Sequence, residues 1–135
     1  MEILLLIVAM IFFHIIDDYY LQGWLASAKQ KEWWEKNAPN PLYKNDYIMA
    51  LCEHAFSWTC MIYIPLLIYI KLYCNADMRA FIIVSMALNC EIHAIVDDLK
   101  ANQKKINLIQ DQLVHIFQIL ITVALCVIIN RMQQI

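Results

Sequence analysis

Three times in this chain an imidazole and a carboxylate stand four residues apart: His14 with Asp18, His93 with Asp97, and Asp111 with His115. His54 is the one remaining histidine. Residues four apart on an α-helix share a face, one turn above the other. Each pair therefore offers nitrogen and oxygen donors on a single stripe. Such a mixed set suits zinc, manganese or ferrous iron. Seven side chains exceed what one tetrahedral ion needs, and a bridging aspartate would let them hold two. Two ions side by side activate water and clamp an in-line phosphoryl displacement. The expected metal ligands are thus His14, Asp18, His54, His93, Asp97, Asp111 and His115, holding two divalent transition-metal ions (Zn, Mn or Fe). Lys100 follows Asp97 by three residues and can steady an anionic group, so Asp97 and Lys100 are the candidate catalytic residues.

Other polar residues flank this set. Asp17 and Asp98 adjoin ligand candidates but point about 100° away on a regular helix, which suits a supporting or interfacial role. Gln22 is four residues after Asp18, and Gln112 adjoins Asp111; either can orient a ligand. Asn89, four before His93, is placed to hold that imidazole. Glu53 faces away from His54's stripe, and Glu91 falls near the middle of an apolar run.

Four apolar segments must position these residues. They cover about residues 3–21, 47–73, 78–96 and 113–129. Each is long enough for a membrane-spanning helix, which takes about 20 residues. The first carries His14, Asp17 and Asp18 and lacks a basic leader, so it reads as a span rather than a cleaved signal peptide. Pro65 inside the second predicts a kink unless a neighbouring helix compensates. Composition agrees with an all-α, integral-membrane, four-helix up-down bundle forming a single domain over 1–135. Of 135 residues, 62% are apolar and 16% charged, too apolar for a disordered chain. The single glycine, Gly23, cannot build a phosphate-binding loop or the turns of a β-sandwich. A net charge of −2 and the lack of a basic stripe exclude a nucleic-acid partner. The five cysteines contain no C-x-x-C pair and read as small buried apolar residues.

In an up-down bundle the C-terminal ends of segments one and three meet the N-terminal ends of segments two and four. All four histidines fall at those ends, so they share one layer. The two loops on that side hold seven lysines (Lys29, Lys31, Lys36, Lys44, Lys100, Lys104 and Lys105), against Lys71, Arg79 and Arg131 opposite. Positive charge marks the cytoplasmic side, so the layer is expected just inside the cytoplasmic boundary with both termini outside.

The ordered set His14-x-x-x-Asp18-x-x-Leu21-Gln22, His54, His93-x-x-x-Asp97-x-x-Lys100 and Asp111-Gln112-x-x-His115 resembles the domain of unknown function 3307 family, small multi-span membrane proteins of bacteria and their phages. The likeness covers nearly the whole chain; members often carry glycine where this chain has Asp17. The resemblance implies a small integral membrane protein and confers no activity. A looser likeness to membrane-bound metal-dependent hydrolases, which keep His and Asp at span ends, adds an analogy.

The expected function is a membrane-embedded, metal-dependent hydrolase acting at the cytoplasmic boundary on a phosphorylated or lipid-like substrate. Its expected partners are membrane lipids and a second copy of the chain. Two rival readings use the same sequence: an ion or proton pathway through the His/Asp cluster, and a small structural or pore-forming phage membrane protein.

Overall fold

The computed structural model describes residues 1–133, and among them the chain is all-helical with no strand. Six α-helices run α1 Glu2–Ile16, α2 Leu25–Ala28, α3 Lys31–Asn37, α4 Asp46–Tyr73, α5 Arg79–Ala101 and α6 Leu108–Met132. A π-helical turn, Asp17–Leu21, continues α1, and a 3-10 turn, Pro41–Tyr43, precedes α4. Four helices are long and apolar enough to cross a membrane: α1 with its π turn, α4 with the preceding 3-10 turn, α5 and α6. At about 1.5 Å per residue each reaches or exceeds the ~30 Å of a hydrocarbon core.

These four close a ring, with α1 packed on α4 and α6, and α5 packed on the same two helices. The ring's interior divides into two zones. Toward the N-terminus of α1 it is apolar, built from Leu6 and Met10, Ile62 and Leu66, and Ile119 and Val123. Toward the C-terminus of α1 it is polar and holds every histidine. The outward faces stay apolar: Leu5, Phe12, Ile68, Ile83, Phe117 and Ile121 are all exposed. In water such a surface would drive association.

Local chemistry sets the helix ends. Gly23, at φ +48°, turns the chain out of the π turn into α2. Its missing Cβ makes that left-handed conformation inexpensive. The Asn40 side chain accepts the Leu42 N–H at 3.0 Å ahead of the turn begun by Pro41. α6 begins with a capping box: Asn107 Oδ1 accepts from Gln110 N–H (3.0 Å) and Gln110 Oε1 accepts from Asn107 N–H (2.9 Å). This cap starts α6 five residues ahead of its apolar run, which sets Asp111 and His115 in its first two turns. α5 likewise continues to Ala101, so Asp97 and Lys100 are helical. α4 passes through Pro65 without a break. Pro65 is buried and lines a cleft with Leu5, Leu6 and Ala9 of α1. Between α4 and α5, Arg79 binds Asp77 through its guanidinium and its backbone N–H. The pairing holds the Asp77 carboxyl down at about 2.

Candidate metal centre

His14 is supplied by the last turn of α1, and the two aspartates by the turn beyond it. There the Gln22 N–H reaches back five residues to the Asp17 carbonyl, at 3.0 Å. Asp17 and Asp18 are both buried, because α1 packs on α4 and α6 and so has two covered sides. Asp17 accepts a hydrogen bond from Ser57 Oγ at 2.7 Å, and its other oxygen lies 3.7 Å from His54 Nδ1. A carboxylate behind an imidazole commonly fixes the ring's orientation for a metal. Gln22 donates from its amide to the Asp18 carbonyl.

Five buried residues from four helices converge in front of these supports. His54 Nε2 lies 3.2 Å from His93 Nε2, 3.3 Å from Asp97 Oδ2 and 3.5 Å from Asp18 Oδ1. His93 Nε2 is 3.9 Å from Asp97 Oδ2, and His115 Nε2 is 3.7 Å from Asp97 Oδ1. Donors around a tetrahedral ion at about 2.0–2.1 Å sit about 3.3–3.4 Å from one another. The spacings of the cluster bracket that value. Two groups could hold a metal ion, the donor atoms of each lying within 4.8 Å of one another: Asp18, His54 and His93, and His93, Asp97 and His115. They share His93, the central ring.

Two further observations fit a cation. Buried polar atoms are nearly always hydrogen-bonded, yet three that face the cluster, Asp18 Oδ1, Asp111 Oδ1 and His115 Nε2, have no hydrogen-bond partner. The formal charge also fits. Asp17, Asp18, Asp97 and Asp111 are buried alongside Lys29 and Lys100. With the imidazoles counted as neutral, the four carboxylates exceed the two ammonium groups by two formal charges. His54, His93, His115, Asp18 and Asp97 are the side chains that fit such an ion directly.

His14 and Asp111 join the layer in other positions. His14 Nδ1 accepts from Trp58 Nε1 at 2.7 Å, which assigns the proton to Nε2, the donor to Gln112 Oε1 at 3.0 Å. Asp111 Oδ2 accepts from Lys100 Nζ at 2.5 Å, and its Oδ1 is 3.4 Å from His115 Nε2. Lys100 also lies 3.7 Å from Asp97. Trp58 floors the cluster, stacked on His93 with centroids 4.2 Å apart, and His93 stacks on His115 at 4.1 Å.

Lys29 was not expected among these residues. It is 7% exposed, and its Nζ donates to Asp97 Oδ2 at 2.5 Å. The short α2 folds back toward the cluster and packs on α4. Trp34 Nε1 donates to the Ala28 carbonyl (2.6 Å), Asn102 Nδ2 to the Lys29 carbonyl (3.1 Å), and Lys31 N–H to Asn102 Oδ1 (2.7 Å). The connection between α1 and α4 is thus latched to the end of α5.

A buried hydrogen-bonded chain descends from the cluster. His115 Nδ1 donates to Gln118 Oε1 (3.0 Å), whose Nε2 donates to the Asn89 carbonyl (3.1 Å) and Oδ1 (3.2 Å). Asn89 Nδ2 donates to Thr122 Oγ1 (2.9 Å) and Tyr63 Oη (3.1 Å), and Tyr63 donates to Ser85 Oγ (2.6 Å). Holding the His115 proton on Nδ1 leaves the Nε2 lone pair facing the aspartates. Asn89 therefore reaches His115 through Gln118, not His93. Asp98 lies outside the cluster, bound to Asn102 and Gln103, and Glu91 is exposed in a groove with Phe56 and Met86. Comparison of the chain with protein-family models, curated proteins and solved structures finds no match.

Proposed function

We propose that the chain is an integral membrane protein, a four-helix up-down bundle, whose His/Asp layer holds divalent transition-metal ions and hydrolyses a phosphorylated, lipid-like substrate at the cytoplasmic boundary. One observation carries the reading. Five buried residues from four helices form two donor triplets that share His93, with each triplet's donor atoms within 4.8 Å of one another. The resemblance of the ordered His and Asp motifs to the domain of unknown function 3307 family is consistent with a small membrane protein. The exposed apolar flanks of the long helices support insertion, and the seven lysines on the side of the cluster support a cytoplasmic orientation.

A divalent ion in this pocket supplies Lewis-acid polarisation and a lowered pKa for water. The chain's own residues do the rest. His54, His93, His115, Asp18 and Asp97 would hold the charge; Gln118 orients His115 through its Nδ1, and Asp17 lies behind His54. Trp58 closes the floor against water. Lys100, a quarter exposed at its side chain and 3.7 Å from Asp97, is the cation placed to meet an anionic group.

Elemental analysis of protein purified in mild detergent without chelators tests the reading, beside an Asp18→Ala/His115→Ala double variant. About one to two equivalents of zinc, manganese or iron, lost in the variant, are expected. Metal at the variant's background level in the wild-type protein overturns the metal centre. Turnover of phosphate esters that survives both chelation and Asp97→Ala overturns the hydrolase.

The chain from His115 through Gln118, Asn89 and Tyr63 to Ser85 favours a second reading, an ion or proton pathway that enters the bundle from the cluster. Flux across liposomes that is lost on Asn89→Leu, with no hydrolysis, would select it.

A further inference from the structure

A cleft borders the polar layer on the outer side of the bundle. It lies between α1 and α6, has a volume of about 510 Å³, and its floor includes His14 and Gln112. Its inner end is apolar, formed by Ile11 and Ile116, with the exposed Ile15 on its side. Its rim, toward the loop that carries Lys29, is formed by the exposed Tyr19 and Tyr20 of the π turn. Two other clefts along the long helices lie away from the cluster. The one between α1 and α4 is lined by residues such as Leu5, Pro65 and Leu72, and the one between α4 and α5 by Phe56, Met86 and Glu91. Neither touches a residue of the cluster.

Gln112 forms the wall between the cleft and the cluster. Its Oε1 accepts from His14 Nε2, and its Nε2 donates to Asp18 Oδ2 at 3.2 Å and to Asp111 Oδ2 at 3.1 Å. One half-exposed side chain therefore separates an outward-facing cleft from two carboxylates of the layer. The polarity of the cleft is graded along the helix axes. Ile11 and Ile116 lie about one turn deeper than His14 and Gln112, and the tyrosine hydroxyls lie beyond them. An apolar end in the hydrocarbon zone and a hydrogen-bonding end beside the cluster match an amphiphile with its chain along the helices. The volume falls within the ~300–1,000 Å³ usual for small-ligand pockets, and two helices bounding a slot admit one chain between them.

We infer that the α1–α6 cleft is the lateral access and tail-binding site of the substrate, a phosphate monoester carrying a single long hydrocarbon chain, with Gln112 as the side chain its head must pass. The phosphate head rests on the hydrolase reading above; the tail rests on the cleft and its continuity with the cluster.

The test uses the full chain in nanodiscs of neutral phosphatidylcholine, with a lysophosphatidic acid that bears a photoreactive diazirine in its acyl chain. After irradiation, adducts are mapped by mass spectrometry. Adducts are expected on residues 11–20 and 112–116, undiminished by excess glycerol phosphate, which has the head but no tail. Filling the cleft with Ile116→Trp or Ile15→Trp should cut these adducts by about tenfold, the order that a steric change in an apolar pocket brings. Ala87→Trp, in the α4–α5 groove, should leave them unchanged. Ile15 already faces outward, so Ile15→Trp carries the test if Ile116→Trp fails to assemble by size exclusion. Labelling spread equally over the α4–α5 groove, or persisting in Ile15→Trp, overturns the inference. Metal content is measured on the same samples. Metal-loaded protein without localised labelling defeats the cleft alone; localised labelling on metal-free protein keeps the cleft and defeats the metal centre.

Discussion

Replacing Lys29 with methionine should destabilise the chelated protein far more than the metal-loaded one. Lys29 and Asp97 have side chains only 8% and 2% exposed, with 2.5 Å between ammonium and carboxylate. Removing one partner of such a pair leaves the other charge buried, at a cost of about 3–5 kcal/mol. The lower end applies here, since His54 Nε2 at 3.3 Å and Lys100 Nζ at 3.7 Å remain beside Asp97. About 3 kcal/mol is roughly a hundredfold in the ratio of folded to unfolded protein. A divalent ion on Asp97 replaces the lost positive charge. The cost should then fall to about 1 kcal/mol, the net worth of an ordinary hydrogen bond, since methionine keeps most of the aliphatic stem. Denaturant unfolding in detergent micelles, followed by far-ultraviolet circular dichroism, measures the difference when run once with chelator and once with excess zinc or manganese. Equal losses in both conditions would refute a role for Asp97 in holding the ion. No loss in the chelated protein would refute the buried pair itself.

Two further substitutions probe the supports. Asn102→Ala removes the hydrogen bonds that tie residues 29–31 to the end of α5. It should cost about 1–3 kcal/mol locally and speed tryptic cleavage after Lys29 and Lys31 at least tenfold; an unchanged cleavage rate counts against the latch. Gln118→Leu frees the His115 Nδ1 proton from its acceptor and should weaken metal binding by about 10–100-fold, measured by competition with a chromogenic chelator. An unaltered affinity would mean that the Gln118 contact does not set the orientation of His115.

The four apolar segments and the stripe of His and Asp residues at spacing four were readable because helical periodicity carries both signals. The supporting place of Asp17 was readable from the same periodicity: about 100° round the helix from Asp18, it faces α4 beside Ser57 and behind His54. The π turn that follows was not, because it leaves no mark in a sequence whose apolar run simply continues. Lys29 was counted only as a loop charge. A lysine between a lone glycine and a tryptophan pair looks like any solvated residue, and only the fold of α2 carries it to Asp97. The polar chain below His115 did leave a trace that was only partly used. Ser85, Asn89, His93 and Asp97 continue one stripe at spacing four along α5, and Asp111, His115, Gln118 and Thr122 form its counterpart on α6. Asn89 was picked out by that spacing, but its tie to Gln118 depends on how α5 and α6 face each other, which no single-helix pattern contains.

The position of Trp58 gives the protein an optical reporter. Its indole lies face to face with His93 and donates to His14. The other three tryptophans, Trp24, Trp33 and Trp34, contact one another on the connection between α1 and α4. Emission therefore comes from two separate populations, one ring on the cluster and three away from it. A paramagnetic ion such as manganese on His93 should dim the first and spare the second. Occupancy then reads directly as the loss of one indole's share of the fluorescence, with the trio as an internal standard and Trp58→Phe as the blank.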